Sequence, residues 1–155
     1  MDGLHEIGGG CHCGNITYRF FSPVPETELA IRSCDCSFCR KQGACYTAHP
    51  QGALKVVVRE SEQITHYRFG SESADVFLCT RCGVFPFIVG RIDDQLYAVL
   101  NANSIDGLHI ERAAVKTLSN LEKQSTEERL ERWKRLWIPQ VEINYLNRPV
   151  NPAIL

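Results

Sequence analysis

Three cysteines stand within six positions in Cys34-Asp-Cys-Ser-Phe-Cys39, inside the stretch SCDCSFCRKQGACY. Clustered thiolates are soft ligands that suit zinc, and a closed structural zinc site needs four ligands. This cluster supplies three. Either Cys45, His49 or Asp35 completes it and the site is structural, or the fourth position belongs to water or substrate and the site is catalytic. Spacing alone leaves both readings open. Arg32 precedes the cluster and Arg40 and Lys41 follow it. Their positive charge offsets three thiolates on a divalent ion and favours ionised thiols at neutral pH. Cys45 lies in the β-like run ACYTAH, where a cysteine is readily a buried core residue.

Four more cysteines form two pairs, Cys11/Cys13 and Cys79/Cys82, each followed by glycine in CHCG and CTRCG. A zinc knuckle turns sharply after its second ligand so that backbone N–H groups face the sulfur, and glycine tolerates the positive φ of that turn. Two such half-sites predict one tetrahedral site of four cysteines that joins residue 13 to residue 79 and holds the fold. Four thiolates leave no open position, so catalysis is not expected there. His12 is expected to point away from the metal. A thiol–disulfide role for Cys79-Thr-Arg-Cys82 is the redox alternative.

The elements that position these groups read as short strands between turns. NITYRF at 15–20 and ITHYRF at 64–69 alternate roughly, while LKVVV at 54–58 and VFPFIVG at 84–90 are continuously apolar, as buried strands are. QLYAVLNAN at 95–103 follows RIDD, a hairpin turn. The one strong helix starts at Ser125, whose spacing to Glu128 is that of a capping box. Leu130, Trp133 and Trp137 recur at helical spacing, and Pro139 stops the helix. The two tryptophans are expected to pack on the sheet rather than line a groove. The ending NYLNRPVNPAIL carries two prolines and is expected to be irregular. The result is a mostly β architecture with a C-terminal helix.

A chain of 155 residues with 44% hydrophobic and 23% charged residues is about one soluble domain with its own core. A formal net charge of -1 gives no general attraction for nucleic acid or an anionic membrane, and neither is expected as a partner. No apolar run approaches the roughly 20 residues of a spanning helix. The opening MDGLHEIGGGCHCG lacks a basic start and an apolar core, which predicts a cytoplasmic chain in which the seven clustered cysteines of the eight bind metal rather than form disulfides. On the same ground the glycosylation-like Asn15-Ile-Thr17 is expected to be accidental.

GGGCHCGNITYRF, CDCSFCRKQGA and FLCTRCGVFPF, in that order, resemble the glutathione-dependent formaldehyde-activating enzyme family, which includes centromere protein V-like proteins. The resemblance runs from about Gly9 to about Gly107. It implies a mostly β, Mss4-like fold of antiparallel sheets stapled by two zinc ions. It assigns Cys11, Cys13, Cys79 and Cys82 to a structural zinc. It assigns Cys34, Cys36 and Cys39 to a catalytic zinc whose remaining position takes a thiol substrate.

The activity this implies is carbon–sulfur lyase chemistry: a thiol such as glutathione adds to formaldehyde or a similar small carbonyl. Arg40 and Lys41 are then the candidates to meet the two carboxylates of glutathione, and Asp35, His49 or water could serve as general acid. The zinc-binding domain is expected over residues 1–138, with 139–155 as a tail packed on it or on a neighbour. The alternative is a non-enzymatic zinc-stabilised β module that binds a protein partner. Oligomeric state is not legible.

Overall fold

The computed structural model describes residues 2–147. Two sheets face each other across the core. The first has four strands, in the order β1 (His5–Gly10), β2 (Ile16–Ser22), β5 (Ala53–Glu60) and β11 (Gln140–Asn147). Alternation decides which face is buried. Ile16, Tyr18 and Phe20 on β2 stand opposite Val58, Val56 and Leu54 on β5, and all six are buried. Val141, Ile143 and Tyr145 then continue that face on β11, which runs parallel to β5. The expected irregular ending is therefore corrected for Asn144–Asn147, which complete a strand. The rest of that stretch, 148–155, lies outside the described residues.

The second sheet has seven strands. Its order is β10 (Lys116–Leu118), β3 (Arg32–Cys34), β4 (Cys45–Thr47), β9 (Gln95–Asn101), β8 (Phe87–Ile92), β7 (Ala74–Cys79) and β6 (Ile64–Tyr67). Its pairings are antiparallel except β10 with β3. Asp93 and Asp94 turn the β8–β9 hairpin with φ of 50° and 63°. Two consecutive positive values are what a two-residue hairpin of the favoured twist requires. One face of this sheet carries Phe77, Phe87 and Leu100, which join the first sheet's apolar face in one continuous core.

The other face of the seven-stranded sheet matters for function. Register places Arg32 beside Tyr46 and Tyr46 beside Asn101. It also places Val99 beside Ile88 and Ile88 beside Val76, so all of these side chains share that face. Helix α2 (Thr126–Leu136) covers it. The expected capping box is present: Glu128 N donates to Ser125 Oγ at 3.1 Å, and Ser125 N donates to Glu128 Oε2 at 2.8 Å. Trp133 and Trp137 are buried and stacked, their ring centroids 4.2 Å apart. A Cβ at Gly90 would stand 3.0 Å from the Trp133 ring, so the missing side chain lets the indole lie close to the sheet.

Asn15 is buried and pairs with the backbone of Glu60, accepting from its N at 2.9 Å and donating to its O at 3.2 Å. Its side chain therefore serves as a strand-end partner. No helix among the described residues is long and apolar enough to cross a membrane.

Candidate metal centres and the adjoining cavity

Two cysteine clusters could each hold a metal ion. Cys11, Cys13, Cys79 and Cys82 have ligand atoms all within 4.8 Å of one another. Cys11 and Cys13 lie in the β1–β2 turn, Cys79 ends β7, and Cys82 lies in the turn to β8. The Cys11–Cys13 and Cys13–Cys79 sulfur separations are 3.8 Å and 3.5 Å. A tetrahedron with metal–sulfur bonds of about 2.3 Å has edges of about 3.8 Å, so the donor set and its spacing fit such an ion.

Gly14 and Gly83 hold φ of 81° and 77°, as the knuckle turns require. Ile16 N donates to Cys11 Sγ at 3.2 Å. Burial nevertheless pushes the Cys11 thiol up to about 12. Cys82 is held down to about 6: burial opposes ionisation, but backbone N–H groups of Cys13 and Val84 and the Cys79 and Cys11 thiols overcome it. His12 is exposed and outside the cluster.

The second cluster joins Cys34, Cys36 and Cys39, again with ligand atoms within 4.8 Å. Cys34 ends β3, and Cys36 is the N-cap of α1 (Ser37–Gln42), its sulfur accepting from Cys39 N at 3.4 Å. Gly43, at φ 64°, ends the helix one turn later. Cys34 is lowered to about 6, chiefly by the hydrogen bond from the Cys39 thiol and against the effect of burial. Cys39 is correspondingly raised, by its bond to Cys34 and then by burial. Tyr46 Oη lies 3.1 Å from Cys39 Sγ, and burial and the nearby cysteines push its pKa far above the usual phenol range.

Among the described residues no fourth His, Cys, Asp or Glu atom joins these three sulfurs. Cys45 is buried and its Sγ donates to Asn103 Oδ1 at 3.7 Å. His49 Nδ1 accepts from Gln51 N at 3.2 Å, and Asp35 Oδ2 accepts from Asn120 N at 3.3 Å.

All three cysteines line a cavity of about 620 Å³ between the seven-stranded sheet and α2. Tyr46, Arg32, Arg129 and Arg132 line it as well. Burial lowers the Arg32 and Arg132 pKa values, and Arg132 also feels the neighbouring arginines. Arg132 Nε is buried without a partner. Arg129 donates to Ser71 Oγ at 2.6 Å and to Leu121 O at 3.2 Å. None of the three has a carboxylate within 4.0 Å among the described residues. Arg40 and Lys41, in contrast, are exposed on α1 beside a separate shallow depression and do not line the cavity.

Tyr46, Arg129 and Arg132 have no motif of their own. A signal for the arginines exists in the sequence. Arg129, Arg132, Trp133 and Leu136 recur at i, i+3, i+4 and i+7, so they share one helix face with the tryptophan stripe. The tryptophans pack on the sheet, as expected, but the expectation that they do not line a groove is corrected, because both also line the cavity.

Residues 6–118 match the model of a family described as glutathione-dependent formaldehyde-activating enzyme. A crystal structure of a Rhodobacter sphaeroides protein, a structural-genomics target, is similar at 27% identity and a TM-score of 0.53. The alignment covers 71% of this chain and 97% of that one. The family match spans both cysteine clusters and most of both sheets. The chain therefore belongs to the glutathione-dependent formaldehyde-activating enzyme family.

Proposed function

We propose that this protein is a zinc-dependent carbon–sulfur lyase that adds a thiol such as glutathione to formaldehyde or a similar small carbonyl, and reverses that addition. The observation that carries the reading is the three-cysteine cluster. Its sulfurs line a cavity, no fourth protein ligand joins them among the described residues, and arginines without carboxylate partners stand on the same walls.

Cys34, Cys36 and Cys39 would hold the catalytic zinc; Cys11, Cys13, Cys79 and Cys82 would hold a second, structural one. Zinc with one open coordination position supplies the Lewis acidity that makes a thiol a thiolate near neutral pH. In the addition, sulfur bonds to the carbonyl carbon, the C=O π pair moves to oxygen, and that oxygen takes a proton. Arg132 meets a carboxylate of the thiol, because its buried, unpartnered Nε is satisfied best by an anion, and Arg32 on the same cavity wall meets the second. Tyr46 keeps its proton at neutral pH, so its hydroxyl, 3.1 Å from Cys39 Sγ, can turn its one hydrogen to the developing alkoxide. Arg40 and Lys41, outside the cavity wall, attract anionic substrate towards its neighbourhood.

Two other readings had their own signs. Cys45 as fourth ligand would favour a non-enzymatic binding module, whereas Cys45 bonds Asn103. A redox pair at Cys79/Cys82 needed those thiols apart from a metal cluster, whereas both sit with Cys11 and Cys13.

Exchange NMR on ¹³C-formaldehyde and glutathione separates enzyme from spontaneous reaction. The reading predicts saturable exchange between free and adduct carbon, above the uncatalysed rate and lost in Cys36→Ser. Exchange at the uncatalysed rate with metal-replete protein would overturn it.

A further inference from the structure

The half of the cavity facing the three cysteines from α2 lies outside the family match, which ends at residue 118. Arg129, Arg132, Trp133 and Trp137 come from this later segment. The wall they meet is apolar: Val76, Ile88 and Val99 share one sheet face by register, with Ala74 beside Val76 in the same strand. The cavity thus has two different ends. One offers sulfurs, the Arg32 and Arg132 guanidinium groups and the Tyr46 hydroxyl. The other offers branched aliphatic side chains and two stacked indoles, with Ser71, Ser73 and the Ser71-bound Arg129 at its margin.

Formaldehyde needs neither the space nor the surface of the second end. Its volume is of the order of two waters, roughly 60 Å³, against about 620 Å³ here. The thiol does not need that surface either. A glutathione-like peptide is polar along its length, and laying its amides against Val76, Ile88 and the indoles would desolvate them without partners. Its carboxylates belong at the arginines. What the apolar end can hold is a substituent on the carbonyl.

We infer that the carbonyl substrate of this protein is an aldehyde bearing an aromatic or branched aliphatic body, seated against the cavity lining to which Trp133, Trp137, Val76, Ile88 and Val99 contribute. This rests on the carbon–sulfur reading above and names its second substrate. The bond change is unchanged: sulfur joins the aldehyde carbon and the carbonyl oxygen gains a proton. The apolar body stays unreacted and contributes binding, roughly in proportion to the area it buries.

The test compares phenylacetaldehyde with formaldehyde, glutathione being the thiol, in the zinc-loaded full chain, with each rate divided by its uncatalysed rate. Phenylacetaldehyde is accelerated at least about tenfold more than formaldehyde. Ala74→Phe, which narrows the apolar end, lowers that ratio about tenfold; a merely unstable variant would lower both rates together. A binding readout runs in parallel. The chain has two tryptophans and both line the cavity, so their fluorescence reports occupancy there directly. S-benzylglutathione quenches it at roughly tenfold lower concentration than S-methylglutathione. Equal acceleration of the two aldehydes, with equal quenching by the two thioethers, overturns the inference and leaves the lyase reading standing. No acceleration of either aldehyde removes the lyase reading and this inference with it.

Discussion

The two cysteine clusters use one ligand type in opposite ways. The four-cysteine cluster ties the β1–β2 turn to the β7–β8 turn, with Cys13 and Cys79 separated by 66 positions. A metal there closes a long loop, and its binding energy acts as folding energy. The three-cysteine cluster lies within one strand end and the first turn of one short helix. A metal there closes almost nothing. Its sulfurs face a cavity, and its neighbours are a hydroxyl and guanidinium groups rather than further sulfurs. On the proposed function, ligand count separates structure from chemistry, and the surroundings agree with the count.

The largest effect that would sharpen this contrast is the loss of a four-cysteine ligand. Cys79→Ser leaves three ligands where four held the sheets, against apparent zinc binding energies of about 10–16 kcal/mol in small structural sites. The variant should be largely unfolded by circular dichroism and size exclusion. Cys36→Ser should do the reverse: one of two zinc ions lost by elemental analysis, no measurable exchange activity, and a melting temperature close to the parent's. If both variants unfold alike, the division between the sites is broken.

Smaller effects probe the cavity side of the comparison. Arg132→Leu removes a charged hydrogen-bond donor worth about 1.5–3 kcal/mol. It should raise KM for glutathione roughly 10- to 100-fold, with zinc content unchanged. Tyr46→Phe keeps the ring and removes the hydroxyl. A fall in kcat of about tenfold, with KM and both metals retained, would mark it as a proton or hydrogen-bond donor to the reacting oxygen. The smallest effect is Ser125→Ala, which breaks the capping box and costs about 1 kcal/mol. A melting temperature lower by roughly 2–4 °C is expected from differential scanning calorimetry.

Both cysteine clusters were legible because each half-site is local in sequence, and Gly14 and Gly83 mark the turns that pair the halves of the four-cysteine one. Most strands and the capped helix were legible from alternation and from Ser125 with Glu128. What escaped is what tertiary structure assembles. Tyr46 meets Cys39 only because β4 returns beside β3, and no local pattern announces that pairing. Arg129 and Arg132 carry no motif, and they join the site only when the helix face they share with Trp133 is laid over the sheet. Arg40 and Lys41 drew notice by adjacency, yet the helix that seats Cys39 carries them outside the cavity wall. The strand at Gln140–Asn147 was hidden by the nearby prolines, although Val141, Ile143 and Tyr145 alternate as a strand should.

The central claim is that the three-cysteine site is open to a thiol and the four-cysteine site is closed. The most direct measurement is the visible spectrum of the cobalt-substituted protein during a glutathione titration, because cobalt reports ligand number and type where zinc is silent. The account predicts a saturable change that disappears in Cys36→Ser. No change with glutathione, or a change that persists in Cys36→Ser, would contradict it.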